Sequence, residues 1–480
     1  MKRFTAFLVI VLATSGVATA ARANDGDLDV TWGGTGVVRL GLSDYDFVPH
    51  VSPYGQSGVQ VIGNFDSTGS SGPFDSVVLM RFTDDGNLDP GCGGTGHVSF
   101  AGSDPVSASD MTVLDDGSTI VVGTIESPLP QGLILKYTPA CQLDSTFGSG
   151  GIVTYTARDG VRYSSVDLLS NDDIVVGGLT LFAPADGGDS RFTIARFSPV
   201  GQLDPSFGPL NDGVFVSDGS HEGRVTDLKV DSMGRVSFVG VQNSGTDDDA
   251  VVGRLTTTGR LDTSFAAAGW FTRSGVNSDR FSSIALRAND GLITVGVHES
   301  TGYLATLVCL DVHGAIDNTC GAPGVVSQLT LPSGVVDFGF WTVIVDDMGR
   351  FVISGIYDDP TASGSGVTPM VVRLLANGSP DPTFGSGGLI SAQYTPGQAT
   401  HVALDQFGRI LVSGHEFVPN GIHGPVVRLT ASTTTSTTTI APQLLPATGK
   451  DASATWAVVM ASLGVGLLLT RRYAVTHSAK

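Results

Sequence analysis

Short apolar runs, each closed by a turn rich in Gly or Asp, follow one another along most of this chain. One kind of run leads into a turn, as in LKVDSMG (228–234), and a second ends in Gly, as in RVSFVG (235–240). A third carries a basic residue near its end, as in FTIARF (192–197), and a fourth is a short strand such as IVTY (152–155). Near-continuous apolar runs of this length predict strands covered on both faces. No long segment before the C-terminus has a helical period, so we expect an all-β fold.

A nine-residue motif, LDSTFGSGG at 143–151, marks the start of each set of runs. Altered copies lie 55 to 64 residues apart and begin at Leu28, Leu88, Leu203, Leu261, Ile316 and Pro380. The Asp of the motif is a turn residue whose carboxylate accepts backbone N–H groups, and the glycines permit positive φ. The aromatic residue is best explained as packing between neighbouring units. So regular a spacing indicates one supersecondary unit copied seven times.

Four short strands in each repeat, copied seven times, predict a seven-bladed β-propeller of four-stranded blades over residues 28–429. The N-terminal strand, 37–40, would complete the last blade as its outer strand beside three strands from the C-terminal end. A ring closed in this way has no open end for edge-to-edge association, and we expect a monomer.

The patterns LDxxFGxGG and DxxGRIxVxG, followed by a strand that ends in Arg-Leu or Arg-Phe, resemble the delta-60 repeat family of bacterial extracellular β-propellers. The resemblance covers about residues 28–429 and implies the propeller fold, but it implies no single activity. Some positions depart from the pattern: Cys92 and Cys320 replace the aromatic residue, AAA follows Phe265, and Pro380 replaces Leu.

The N-terminal 23 residues have a different pattern. Lys2 and Arg3 precede an apolar segment at 4–17, and two small-x-small sites follow at 18–20 and 21–23. This order predicts a secretory signal peptide over residues 1–23. The net charge of −20 argues against nucleic acid and anionic lipid as partners and suits an extracellular surface.

The C-terminal composition changes at about residue 430. Residues 430–444 are rich in Thr and Ser and predict an extended spacer. The spacer is followed by the motif Leu445, Pro446, Ala447, Thr448 and Gly449. An apolar segment at 456–469, which we expect to be helical, and two arginines come after the motif. This order over 445–480 resembles the LPXTG sorting signal of Gram-positive surface proteins.

That resemblance implies that a sortase breaks the Thr448–Gly449 bond and joins Thr448 to peptidoglycan, so the chain is itself the substrate. The predicted location is therefore the cell wall of a Gram-positive bacterium, outside the membrane. The alternative is a plain C-terminal membrane anchor, although the apolar segment is short for a full span.

Four cysteines in an exported chain indicate disulfides. Cys309 and Cys320 flank one strand-to-strand turn, and Cys92 and Cys141 lie near equivalent turns of adjacent repeats. Spacing favours the pairs Cys309–Cys320 and Cys92–Cys141 among the three possible pairings. The alternative is free buried thiols that fill the lost aromatic volume.

Few motifs carry chemistry. His-Glu occurs at 221–222, 298–299 and 415–416, but no copy extends to HExxH, and neither GxSxG nor a P-loop is present. Acidic clusters at 247–249 and 358–359 offer carboxylates to calcium but lack a DxDxDG spacing, so solvated loops are the competing interpretation. We therefore expect no metal site and no cofactor.

The connections after the Gly-ending strands vary in length and content, and variable loops on a repeated scaffold usually carry specificity. They should emerge at the end of the ring opposite the LDxxFG turns. Aromatic residues beside carboxylates there could stack on sugars and bond their hydroxyls. The candidate ligand-face residues are Phe65, Asp66, Phe182, Asp248, His298, Glu299, Tyr357, Asp358, His415 and Glu416.

Three functions fit these features. The first is a wall-displayed binding or adhesion module for an extracellular glycan or protein. The second is a secreted, wall-anchored enzyme that acts on glycans, and the third is a passive surface-layer component. Because no catalytic constellation is visible in the sequence, we expect a binding module that is not an enzyme.

Overall fold

The computed structural model describes residues 25–431 except for 42–45, 67–73, 183–188, 246, 276, 300–301, 322–323, 326–334, 336, 360–365, 392–396 and 419–420. The described residues form seven antiparallel sheets, and each sheet is one blade of a β-propeller. The predicted seven-bladed fold is therefore confirmed.

Twenty-nine strands make up the described part of the ring. In chain order they are β1 (Val37–Arg39), β2 (Asp46–Tyr54), β3 (Gly58–Phe65), β4 (Ser76–Phe82), β5 (His97–Ala101), β6 (Val106–Val113), β7 (Thr119–Ile125), β8 (Gln131–Tyr137), β9 (Ile152–Tyr155), β10 (Val161–Leu168), β11 (Ile174–Leu181), β12 (Ser190–Phe197), β13 (Val214–Val216), β14 (Gly223–Val230), β15 (Val236–Asn243), β16 (Asp248–Leu255), β17 (Trp270–Arg273), β18 (Asp279–Leu286), β19 (Leu292–Glu299), β20 (Tyr303–Leu310), β21 (Gly324–Val325), β22 (Phe338–Val345), β23 (Phe351–Asp358), β24 (Val367–Leu374), β25 (Leu389–Ser391), β26 (Gly397–Leu404), β27 (Ile410–Val418), β28 (Gly421–His423) and β29 (Pro425–Leu429). A 3₁₀ turn lies at Asn318–Cys320.

Blades 1 to 6 each consist of four consecutive strands, from β2–β5 in blade 1 to β22–β25 in blade 6. Their first strands line the centre of the ring, and their fourth strands lie outermost. Blade 7 has the order β26-β27-β29-β1, with β28 paired to β27. Successive turns of such a meander emerge at opposite ends of the ring, so the LDxxFG and DxxGR turns share one end, here called the motif end. The connections after the second strands emerge at the other, the loop end.

The N-terminal strand closes the ring as the sequence predicts. Val37 of β1 lies opposite Val427 of β29 in an antiparallel pair. The pairing extends beyond the strand, because the backbone N–H of Asp29 donates to the carbonyl of Arg428 at 2.9 Å. Both termini of the array therefore belong to one blade, and the closure leaves no free edge at that point.

An ion pair fixes the LDxxFG turn to the third strand in six of the seven blades. In blade 5 the third strand carries Cys309 at this position, and Arg287, which follows the first strand, binds Asp317 instead. In blade 4, Asp262 Oδ1 accepts the backbone N–H of Ser264 at 3.0 Å, and Asp262 Oδ2 accepts Arg254 Nε at 2.9 Å. The Arg254 guanidinium lies over the ring of Phe265, 4.4 Å from its centroid. Equivalent pairs occur at Arg81–Asp89, Lys136–Asp144, Arg196–Asp204, Arg373–Asp381 and Arg428–Asp29. The basic residue near the end of the third strand is thus the partner of the motif Asp.

The motif aromatic packs between neighbouring blades. Phe265 of blade 4 is fully buried, and a Cβ added to Gly314 of blade 5 would overlap its ring. The backbone N–H of Ala266 donates to the carbonyl of His313 at 2.7 Å, so a hydrogen bond joins the same two blades. Glycine permits this close approach and the positive φ of +79° at Gly314.

Each disulfide has one cysteine in a motif turn, Cys92 or Cys320. Cys92 of blade 1 is paired with Cys141 of blade 2 across a Cα–Cα distance of 4.9 Å, and Cys309 with Cys320 across 6.4 Å. These are the pairs that the spacing favours. Cys92 and Cys320 stand where other blades carry the aromatic residue, so a covalent bond replaces the apolar plug there.

Several predicted segments lie outside the described residues. They are the signal peptide (1–23), the sorting signal (445–480) and all but the first two residues of the spacer (430–444). In the part of the chain that the structure describes, no helix is long and apolar enough to cross a membrane.

Candidate functional site

Each inner strand contains a β-bulge, and the bulges set the lining of the central channel. In β14 the register shifts between Val225 and Asp227, so Thr226 is the extra residue, and the other six inner strands shift at the equivalent place. The close pairing of the first and second strands explains why the second strand carries a Gly beside the bulge. In blade 4, a Cβ on Gly240 would overlap the carbonyl oxygen of Arg224.

A polar side chain follows the bulge of the inner strand in every blade. From blade 1 to blade 7 these residues are His50, Asp110, Ser165, Asp227, Ser283, Thr342 and His401. Together with neighbouring inner-strand residues they line a cavity of about 720 Å³ in the centre of the ring. This volume is within the range of small-ligand sites in proteins.

Hydrogen bonds between blades hold this polar belt in place. Asp227 accepts the hydroxyl of Ser165 at 3.0 Å on one side and that of Ser283 at 2.8 Å on the other. It also accepts the backbone N–H of Ile284 at 3.0 Å. One carboxylate therefore joins blades 3, 4 and 5, and its orientation is fixed before any ligand enters.

Lys229 is the cation of the channel interior. Its Nζ lies 3.4 Å from Asp227 Oδ1. Burial would lower the pKa of Lys229, but Asp227, Asp167 and Asp110 outweigh burial and raise it above its ordinary value. Burial raises the pKa of Asp167, against the opposing effect of Lys229. The ammonium is thus charged at neutral pH and balances carboxylates from blades 2 to 4.

Two histidines meet Asp110 at the junction of blades 7, 1 and 2. His50 Nδ1 lies 2.5 Å from Asp110 Oδ1, and the rings of His50 and His401 stack with centroids 3.7 Å apart. Burial would raise the pKa of Asp110, but His50, Lys229 and the N–H of Val166 lower it. Burial, followed by the charge of His50, lowers the pKa of His401, which is therefore neutral at pH 7.

Arginines occupy the second position of the inner strand in three successive blades, at the loop end. Arg162 pairs with Glu126, and Arg280 pairs with Glu299 at 2.7 Å and with Asp248 at 3.4 Å. Arg224, between them in the ring, is exposed and has no ion pair among the residues that the structure describes. Carboxylates therefore balance two of the three arginines at the channel mouth, and Arg224 is the one without a partner in the described part of the chain.

The candidate ligand-face residues do not form one exposed surface. Five of them are buried: Phe65 (4% exposed), Asp66 (2%), Tyr357 (3%), His415 (8%) and Glu416 (2%). These five side chains are not on exposed loops, because the ends of the strands continue the packing between blades. Phe47, for example, covers His415 at a ring distance of 5.2 Å, and burial lowers the pKa of His415 to about 4.

The other five candidates lie nearer the surface, mostly in ion pairs. Asp248 and Glu299 bind Arg280, and His298 Nδ1 lies 3.0 Å from Asp279 Oδ1. The guanidinium of Arg191 lies 5.3 Å from the ring centroid of Phe182. Asp358 is exposed. No group of three or more His, Cys, Asp or Glu side chains suited to a metal ion occurs within the described ranges.

The channel residues are the ones that sequence reasoning missed. A weak signal was present, since a polar residue interrupts the apolar run about four positions before each DxxG turn, as Asp227 does before the turn at 231–234. Single polar residues in a strand usually mark a solvent-facing position. Only the ring arrangement shows that these seven positions converge.

Comparisons with known proteins agree with the fold. Residues 169–207 and 352–384 match a family model described as "Domain of unknown function (DUF5122) beta-propeller", the delta-60 repeat type of propeller. No curated protein matches the chain.

Solved structures with a similar arrangement have low sequence identity. A gluconolactonase from Xanthomonas campestris is 12% identical, with a TM-score of 0.36, over 82% of this chain and 100% of that one. The periplasmic gluconolactonase of Pseudomonas aeruginosa is 13% identical, with a TM-score of 0.40, over 81% and 96%. A polysaccharide lyase, an ulvan lyase, is 9% identical, with a TM-score of 0.42, over 68% and 78%. This chain is a β-propeller, which is the class that its fold defines.

The prediction that the chain is not an enzyme is corrected, because the ground on which it rested does not hold. It rested on the lack of a catalytic constellation in the sequence, but the closed ring brings His50 onto Asp110 and Lys229 beside Asp227. Residues 60 apart in the sequence become neighbours only when the blades form a ring.

Proposed function

We propose that this chain is an exported β-propeller, held at the cell wall of a Gram-positive bacterium, that binds an extracellular ligand in its central channel. The observation that carries the proposal is the cavity of about 720 Å³ lined by a fixed, hydrogen-bonded belt of polar side chains. Pre-formed concave sites with a few convergent polar groups are where small ligands bind.

Display at the surface is supported by the two ends of the chain. The predicted signal peptide (1–23) and the motif Leu445–Gly449 fit export and attachment by a sortase to peptidoglycan. The two disulfides fit an oxidising compartment. In addition, β29 runs toward the motif end, which is the end opposite the channel mouth.

Binding in the channel is tested with residues 24–433, which contain every strand and end with the compact unit. The protein is applied to an array of glycans and matrix proteins. Ser109→Trp then narrows the channel at the bulge position of blade 2, where blade 6 already carries Trp341. We expect Ser109→Trp to weaken binding at least about tenfold, because the added ring occupies the ligand's volume.

The matched control is Val200→Trp, which adds the same ring to a half-exposed position at the motif end. It should bind like the wild type. Equal binding by Ser109→Trp and wild type, or loss of binding in Val200→Trp alone, would place the ligand on the motif end and refute the channel site.

A second candidate function is acid–base catalysis in the same channel, favoured by the contact of His50 Nδ1 with Asp110 Oδ1. A carboxylate that holds one ring nitrogen orients the imidazole and leaves the other nitrogen to exchange a proton with a substrate. If the array ligand is also converted, mass spectrometry should detect the product, and His50→Gln should abolish it while binding persists.

A further inference from the structure

The seven copies of the inner strand act as internal controls for one another. At the bulge position five blades carry a small hydroxyl residue: Ser109, Ser164, Thr226, Ser282 and Thr400. Blade 6 carries Trp341 at this position, and its side chain lines the channel. A large aromatic ring in a column of serines and threonines is a local departure from the repeated scaffold.

The hydroxyl of the bulge residue joins neighbouring blades at three places. Ser164 donates to the carbonyl of Val225 in the next blade at 2.7 Å, Thr226 to that of Phe281 at 2.7 Å, and Thr400 to that of Val48 at 3.0 Å. In blade 6 the residue after the bulge, Thr342, makes a similar bond, one residue further along the partner strand, to the carbonyl of Thr400 at 2.8 Å. The scaffold thus keeps its bond between blades, and Trp341 is released from that role.

Trp341 differs from the other described tryptophans in its exposure. Trp32 and Trp270 are buried within the ring, at 0% and 5% exposure, whereas Trp341 is half-buried and borders the cavity. Its Nε1 is shielded from solvent and has no hydrogen-bond partner among the described residues. A flat apolar face with a free N–H donor beside a polar cavity suits a ligand that is apolar on one face and hydroxylated at its edge.

The groups around Trp341 are both donors and acceptors. Arg280 in blade 5 and Gln398 in blade 7 line the channel nearer the loop end, and Ser283 and His401 flank Trp341 deeper in. Nδ1 of His401 also has no hydrogen-bond partner among the described residues. Such a mixture suits hydroxyl groups, which donate and accept hydrogen bonds.

The charge of this part of the channel argues against an anionic ligand. Arg280 is already balanced by Asp248 and Glu299. Deeper in, Lys229 is outnumbered by the carboxylates at Asp110, Asp167 and Asp227. A neutral ring would not have to displace these ion pairs, whereas an acidic sugar would meet both the carboxylates and the overall charge of −20.

We propose that Trp341 is the stacking platform of a subsite that binds a neutral pyranose ring at the end of an extracellular glycan. This proposal rests on the channel binding proposed above and names its ligand class. The apolar face of the sugar covers the indole ring, and its hydroxyls bond Gln398, Ser283 and His401.

The test measures tryptophan fluorescence of residues 24–433, in which Trp341 is the half-buried tryptophan beside the two buried ones. The probes are neutral trisaccharides that end in glucose, galactose, mannose or N-acetylglucosamine, with trigalacturonic acid as the acidic comparison. We expect a saturable change with at least one neutral probe. Trp341→Ser, which installs the residue of other blades, removes the reporting ring, so its affinity and that of the wild type are compared by titration calorimetry. It should lose at least about tenfold in affinity at an unchanged melting temperature.

Arg260→Gln, an exposed substitution at the motif end, is the matched control and should bind like the wild type. If Trp341→Ser does not fold, Trp341→Tyr and Trp341→Leu replace it, and the aromatic variant should retain more affinity than the aliphatic one. Undiminished binding by the Ser or Leu variant, or preference for trigalacturonic acid, would overturn the sugar subsite. Binding of an array ligand other than these sugars would also overturn it but would leave the channel function standing, whereas no binding on the array would refute that function itself.

Discussion

At the residue scale, a buried arginine links the Asp and the aromatic residue of the LDxxFG motif, which are the most uniform parts of the repeat. Arg254 is 2% exposed, and it binds Asp262, the carbonyl of Val312 in the next blade at 2.5 Å, and the face of Phe265. Arginine suits this position because its planar fork can bond two acceptors while it stacks on a ring. Sequence reasoning found the Asp and the aromatic residue but did not assign the Arg as their partner.

Arg254→Met is therefore predicted to destabilise the ring by about 3–5 kcal/mol, because it leaves Asp262 buried without its cation. The measurement is the free energy of unfolding in urea. Arg260→Met, six residues further along and exposed, is the control and should change it by less than about 0.5 kcal/mol. A loss below about 1 kcal/mol in Arg254→Met would mean that the ion pair is structurally dispensable.

At the element scale, β1 contributes more than its three residues suggest. Its segment brings Asp29, which binds the fully buried Arg428 at 2.8 Å, and Trp32, whose ring lies under the same guanidinium. Trp32 also packs against Phe82 of blade 1, with ring centroids 5.7 Å apart. The N-terminal segment therefore joins blade 7 to blade 1 as well as completing blade 7.

Deletion of residues 24–40 should open the ring and lower the melting temperature by at least about 10 °C, since Arg428 loses its partner and the blade 7–blade 1 packing loses Trp32. Calorimetry of the deletion variant checks this. The control ends the chain at 433 and leaves β1 in place, so its transition should match that of the longer protein. Unchanged cooperative unfolding after the 24–40 deletion would contradict closure by β1.

At the scale of the whole molecule, the ring separates its two ends by role. The motif end holds the ion pairs, aromatic plugs and disulfides. The loop end holds the channel mouth with its three arginines. The contacts that hold the blades together are therefore separated from the entrance to the channel.

Wall attachment is predicted to end the mature protein at Thr448. Digestion of the cell wall followed by mass spectrometry should find Thr448 joined to a peptidoglycan fragment, because the sortase passes the threonyl group to a wall amine. A Thr448→Ala variant should instead appear in the membrane or the medium. Recovery of the wild-type chain with intact Lys480 from the membrane fraction would favour a plain membrane anchor.

The sequence predicts most of the fold because the propeller repeats. Each copy of the LDxxFG motif predicts the same turn, and with seven copies the repeat is recognised in spite of local departures such as Cys92 and Pro380. The disulfide pairs could be predicted for a related reason, since the repeat shows where each cysteine lies within its blade. The burial of Phe65 and Tyr357 could not be predicted in the same way, because composition does not distinguish a strand end that packs from a loop that is exposed.

The sequence by itself determined the number of blades, the closing strand and the cysteine pairs, because these depend on local turn chemistry and regular spacing. Only the tertiary structure decided the channel. The bulge that follows Val225 turns Asp227 toward the axis, and Ser165 and Ser283 reach it from 62 and 56 residues away. Contacts at such separations arise from the closure of the ring, and no local pattern of hydrophobic and polar residues encodes which of them meet.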